Sequence, residues 1–107
     1  MSSRKVSVDL FSIKKIQPKC GEVSGLLRAL AHPGRLLILG HLTSEPKTVT
    51  ELQSLCGLSQ SQLSQFLSRM RAEGLVDYSR TGRFLTYRVS DERISGLIRS
   101  IQTIFCK

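Results

Sequence analysis

The 107-residue chain has no apolar run approaching the roughly 20 residues that a membrane span requires. Its first residues also lack a signal-peptide core, so the expectation is a cytoplasmic protein with no membrane partner. Cysteine is scarce: Cys20, Cys56 and Cys106 are an odd number without dense spacing, which argues against a disulfide framework. Histidine is scarcer still. His32 and His41 have no second His or Cys at ligand spacing, so no metal site is expected. No Ser/His/acid set is present, and no glycine-rich phosphate loop joins a strand to a helix; an enzyme and a bound cofactor are therefore not expected. Acid is in short supply. Sixteen Lys and Arg oppose eight Asp and Glu, a net charge of +8 that favours a polyanionic partner, first of all nucleic acid.

What remains is enough for one domain with a real core, and no repeat or low-complexity segment divides it. Residues 1–17 carry Arg4, Lys5, Lys14 and Lys15 against Asp9 and read as a basic N-terminal arm ahead of a domain over 18–107. Val6, Val8 and Leu10 alternate like a strand, whereas Leu10, Ile13 and Ile16 suit a helical turn. The arm can touch phosphates or simply be a solvated tail. A helix is expected from about Lys19 to Ala31, with Val23, Leu26, Leu27 and Leu30 on one face. His32-Pro33 then breaks it and starts a second helix, to about Leu42, so apolar around its circumference that it should be the buried centre. Thr48-Val49-Thr50-Glu51 has capping-box order and opens a helix that stops at Gly57. Ser59 and Gln62 repeat the signal. Two short helices about a glycine-centred turn make a helix-turn-helix.

The second of these helices is the most informative stretch. Leu63, Phe66, Leu67 and Met70 share one face; Ser61, Ser64, Gln65 and Ser68 share the opposite one, with Arg69 at its edge. No acid occurs from Ser59 through Ala72. Short hydroxyls allow close approach, Gln can pair with an adenine edge, and Arg suits guanine or phosphate. That face either enters a DNA major groove or merely meets water, and only its surroundings distinguish the two. Downstream of Gly74, strands over Leu75–Ser79 and Phe84–Val89 flank Arg80-Thr81-Gly82-Arg83, a hairpin placed like a wing whose Arg80 and Arg83 can reach a minor groove or phosphate. Ser90 is expected to cap a last helix whose stripe of Ile94, Leu97, Ile98, Ile101, Ile104 and Phe105 exceeds what one small core covers, suggesting a subunit interface. Cys56 shares a face with Val49 and Leu52 and reads as a small core residue. Cys20, beside Lys19 in a first helical turn, favours a thiolate, and Cys106 lies off its helix's apolar stripe and should be reachable.

The wording of these segments resembles the ArsR/SmtB-type winged-helix repressors. Leu30-Ala31-His32-Pro33-Gly34-Arg35-Leu36-Leu37-Ile38-Leu39 is similar to their "LA-H-P-x-R-L-x-I-L" segment, Leu58–Gln65 to their recognition helix, and Glu73-Gly74-Leu75-Val76 to their exit into the wing. The resemblance implies a mainly α, α+β winged helix-turn-helix of about five helices and a two-stranded hairpin. It also implies a homodimer built by the first and last helices, which binds operator DNA through Gln60, Ser61, Ser64 and Gln65. The family's Cys-x-Cys metal site would fall near Thr48-Val49-Thr50, and its last-helix ligands on a helix bearing Arg93, Ser95, Arg99 and Gln102; neither set is here. A thiol-sensing branch, similar to HlyU and BigR, pairs a cysteine in the second helix with one near the C-terminus. Cys106 matches the latter, whereas the former position is Gly40. Cys20, within or across subunits, is the replacement partner this suggests, with an oxidant or reactive sulfur species as inducer. A regulator with no inducer, or a winged helix serving as a protein-interaction module, are the competing expectations.

Overall fold

The computed structural model describes residues 10–106. The first nine residues of the basic arm, Arg4, Lys5 and the Val6/Val8 alternation among them, lie outside the described residues. Of the two patterns open at Leu10, the helical one forms: α1 spans Leu10–Ile16. A single 3₁₀ turn, Gln17–Lys19, holds Pro18 where a missing N–H is harmless and leads into α2, Cys20–Leu30.

His32 follows α2 with an extended backbone and caps α3, Pro33–Ser44: its Nδ1 accepts the Gly34 N–H at 3.0 Å. Helix α3 is central, packing on α2, on the sheet, on the following helix and on the last one. Ile38, Leu39 and Leu42 are buried with Leu30, Leu52, Leu63, Leu67, Met70, Val76, Ile94 and Ile98. Each such side chain contributes about 1.5–3 kcal/mol of burial free energy. Leu37 of α3 and Leu27 of α2 are nevertheless partly open, 43% and 49% exposed, because the elements packed on each helix cover only part of its circumference.

Helix α4, Val49–Cys56, opens on a full capping box: the Thr48 hydroxyl accepts from the Glu51 N–H at 3.1 Å, and the Glu51 carboxylate accepts from the Thr48 N–H at 2.8 Å. It stops at Gly57, whose φ of +65° an L side chain resists. Strand β2, Val76–Thr81, pairs antiparallel with β3, Phe84–Val89, in a register from Val76↔Val89 to Thr81↔Phe84. Gly82, at φ +62°, lies in the tip. The sheet has a third strand that a simple hairpin lacks: β1, Lys47–Thr48, pairs with Tyr87 and Thr86 of β3. Thr48 caps α4 with extended backbone angles, and that same geometry lets it pair with a strand.

The last helix, α6, spans Glu92–Phe105. Its cap is Asp91, not Ser90. The Asp91 carboxylate accepts from the Arg93 N–H, while the Ser90 hydroxyl donates to the Gly74 carbonyl at 2.9 Å and ties the end of the sheet to the preceding turn. Arg93 pairs with Asp91 and, across elements, with Glu22 at the start of α2.

Candidate nucleic-acid interface

The start of α5, Gln60–Ala72, is set locally, and its rotation by the core beneath it. The Ser59 hydroxyl accepts from the Gln62 N–H at 3.1 Å, and the Gln62 side chain accepts from the Ser59 N–H at 3.2 Å, so the helix starts at one defined residue. Leu63, Leu67 and Met70 are buried beneath it, which fixes its rotation about its own axis. Phe66, half-buried, leans on the His32 ring with centroids 4.9 Å apart. With the apolar face clamped, the opposite face must project. Gln60, Ser61, Ser64, Gln65, Ser68 and Arg69 are all exposed.

Ser64 and Ser68, one turn apart, line two grooves at once and so form the crest between them. On the wing side, an open groove of about 280 Å³ brings Gln60, Ser64 and Ser68 together with Arg83 of the hairpin tip and Thr50 of α4. On the other side, a groove of about 720 Å³ joins Gln65 and Arg69 to Arg28, His32 and Arg35. Ser61 and Arg80 are exposed but line neither groove. Sequence reasoning missed Thr50, Arg28 and Arg35. Arg35 lies inside the apolar α3 pattern, and only its tertiary surroundings show that it turns toward α5, where it pairs with Glu73 at 2.5 Å.

Electrostatically the face is open to anions. Among the described residues Arg69, Arg80 and Arg83 have no acidic partner, so their charge is available to a ligand. Arg71, by contrast, is engaged. It donates to Asp77 at 3.2 Å and stacks over the Tyr78 ring. The Tyr78 N–H and then Arg71 hold the Asp77 carboxyl below its usual range. Among the described residues no group of three His, Cys, Asp or Glu could hold a metal ion, and no helix is long and apolar enough to cross a membrane.

The three cysteines are free thiols in different settings. Cys56 is half-buried and burial pushes its thiol pKa up, as suits a packed residue. Cys20 is exposed, its Sγ donating to the Ile16 carbonyl at 3.6 Å. Cys106 is exposed at the far end of α6, where with Leu37, Gly40, His41 and Ile101 it lines a largely apolar groove of about 610 Å³ between α3 and α6. No residue of α2 lines that groove.

The comparisons with known proteins agree with this geometry. Residues 32–78 match the family model "Bacterial regulatory protein, arsR family". The chain is 37% identical over 95 residues to the HTH-type transcriptional regulator YgaV of Escherichia coli, an alignment covering 88% of this chain and 96% of that one. Its fold superposes on the transcriptional repressor BigR from Xylella fastidiosa with a TM-score of 0.84, at 32% identity over 88% of this chain and 96% of BigR. Reduced HlyU from Vibrio cholerae gives a TM-score of 0.80 at 31% identity over 88% and 99% of the two chains. With its capped helix-turn-helix, its arginine-tipped wing and these relatives, the chain belongs to the arsR family of bacterial regulatory proteins and is a DNA-binding transcriptional regulator.

Proposed function

We propose that the chain is a cytoplasmic, homodimeric repressor that occupies an imperfect palindrome with one α5 per half-site. Gln60, Ser61, Ser64 and Gln65 face base edges, Ser68 and Arg69 lie against the near backbone, and Arg80 and Arg83 grip phosphate or minor groove from the wing. The observation that carries this reading is the exposed, acid-free Ser64–Ser68 crest with an unpaired arginine beside it. Residues 1–17 serve as a basic arm ahead of the 18–107 domain.

Dimerisation is supported by apolar surface left open at one end of the molecule. Ile104 and Phe105 are 62% and 76% exposed, and Leu37 is uncovered beside the α3–α6 groove. Such a patch is what a second copy would cover.

The thiols Cys20 and Cys106 form the sensing pair, and they meet across subunits. Within one chain Glu22 ties the start of α2 to Arg93, whereas Cys106 follows the last residue of a 14-residue helix. That helix is about 20 Å long, and a disulfide needs Cα atoms within about 7 Å. A two-fold axis through the middle of an antiparallel α6 pair would carry Cys106 to the opposite subunit's Arg93 end, and so toward its Cys20. Hydrogen peroxide, as the two-electron oxidant, would convert the two thiols to one disulfide and itself become two waters; a reactive sulfur species is the alternative inducer.

One experiment addresses site and switch together. The full-length protein selects duplexes from a random pool under thiol reductant and again after peroxide, and the protein is then digested for mass spectrometry. An inverted repeat enriched only under reductant, with Cys20–Cys106 peptides linked after oxidation, is expected. No enriched sequence would overturn the DNA reading. Enrichment under both conditions with both thiols reduced would overturn the switch alone.

A further inference from the structure

The groove on the side of α5 away from the wing enters the proposal above only through its α5 wall; Arg28 and Arg35, which close its other side, have no role there. Its walls come from three elements: Arg28 of α2, Arg35 of α3, and Ser64 and Arg69 of α5, with the His32–Phe66 ring pair behind. Three arginines therefore line one open space, and among the described residues Glu73 is the one acid that pairs with any of them. Arg28 and Arg69 are exposed and have no acidic partner among the described residues. Arg35 is only 9% exposed, and its Nε is a buried donor with no hydrogen-bond partner among the described residues. Buried donors are satisfied as a rule, so Arg35 keeps uncompensated positive character in a lining it shares with two acid-free arginines, and such a groove suits an anion.

The position of the groove says which anion. A helix seated in the major groove, about 12 Å wide, has a sugar-phosphate strand on either side. Ser64 and Ser68 form a crest with Arg83 in the groove on one flank and the three arginines in the groove on the other. We propose that this second groove is a phosphate seat for the DNA strand opposite the wing, with Arg28 and Arg69 as its contacts and Arg35 as the buried charge that fixes its potential. The regulator thus straddles the major groove. This inference rests on the DNA-binding reading of α5. The shared chemistry is a phosphate anion; the backbone of the duplex, rather than free phosphate, is the source the crest geometry favours.

The test uses the full-length protein, a duplex selected from a random pool, and the same duplex scrambled, with fluorescence anisotropy read between 50 and 200 mM KCl. Arg28→Ala is expected to weaken both duplexes equally, by about tenfold for the charge-assisted hydrogen bond lost in each protomer. It should also flatten the salt slope by about 0.9 for each phosphate left without its cation. Arg69→Ala is the second variant, with the same expectation. Single neutral methylphosphonates are then walked along each strand. One position away from the wing should weaken wild-type binding yet cost Arg28→Ala nothing further. If wild type binds but no position behaves so, and Arg28→Ala keeps full affinity, the seat is refuted while the DNA reading stands. If potassium phosphate competes better than chloride at equal ionic strength, only with Arg28 present, and the walk is silent, the groove serves free phosphate and the proposal is overturned. A wild-type protein that binds neither duplex would overturn the DNA reading itself.

Discussion

Gln65 and Arg83 are both exposed, and neither side chain is held by a hydrogen bond or ion pair among the described residues, yet their replacement should fail in different ways. Because the folded state restrains neither, each alanine variant should unfold within about 0.5 kcal/mol of wild type, so binding losses are not folding losses. Gln65 stands on a helix whose rotation is set by buried Leu63 and Leu67, and a bidentate pair with a base edge is worth about 1–3 kcal/mol. Gln65→Ala should therefore weaken a selected duplex by about 5- to 150-fold and leave a scrambled duplex nearly unchanged. Arg83 lies beside Gly82 at the hairpin tip and in the groove with Gln60, Ser64 and Ser68. A phosphate contact there is blind to sequence. Each neutralised phosphate accounts for about a 3.5-fold fall in affinity between 50 and 200 mM salt, or about twelvefold for the two copies of a dimer. Arg83→Ala should weaken both duplexes alike and remove that part of the salt dependence. Anisotropy titrations across that salt range read both quantities. Equal losses for both variants on both duplexes, with an unchanged slope, would refute the division into a base-reading crest and a phosphate-gripping wing.

Gly57→Ala places a Cβ at φ +65° and should cost about 1–2 kcal/mol in urea unfolding, by straining the turn between α4 and α5. Asp91→Ala removes the cap of α6 and should cost about 0.5–2 kcal/mol near neutrality. Its hydrogen bond from the Arg93 side chain holds the Asp91 carboxyl below the usual range. The stabilisation is therefore complete above the unfolded value of about 4 and lost as pH falls through the lower folded one, so wild type and variant should converge in strong acid. Glu73→Gln leaves Arg35 buried without its partner; since Glu73 is 44% exposed, a loss of about 1–2 kcal/mol is expected in urea unfolding, rather than the roughly 3–5 of a fully buried pair. Phe105→Asp lies on the open end of α6 and should leave the fold intact while sedimentation equilibrium shifts toward monomer; an unchanged mass would refute the proposed interface at that end of α6.

Signals spanning four residues or fewer were legible. Both capping boxes, the His32 boundary, the Gly57 stop and the Gly82 tip depend only on a side chain and its immediate backbone, and each forms where the spelling of the chain puts it. The cap of α6 shows the limit. Ser90 and Asp91 are both good caps, and Ser90 is drawn off by the carbonyl of Gly74, sixteen residues away. Likewise, period places Leu27 and Leu37 on apolar helices, but burial is decided by what packs opposite, and the described residues leave both about half exposed.

By itself, then, the sequence determined the winged helix-turn-helix, the acid-free polar face of α5 and the arginines at the wing, because helical periodicity and capping are local and charge is simply composition. Only the tertiary structure decided that Lys47 and Thr48 pair with a strand some forty residues on, and that Arg35 leaves an apolar helix to meet Glu73. It alone decided that Ser64 and Ser68 rise between two arginine-bearing grooves, and that Cys20 and Cys106 are set toward opposite ends of α6. These are relations between residues far apart in the chain. No spacing rule encodes them; they come into being when α2, α3, α5 and α6 close on one core.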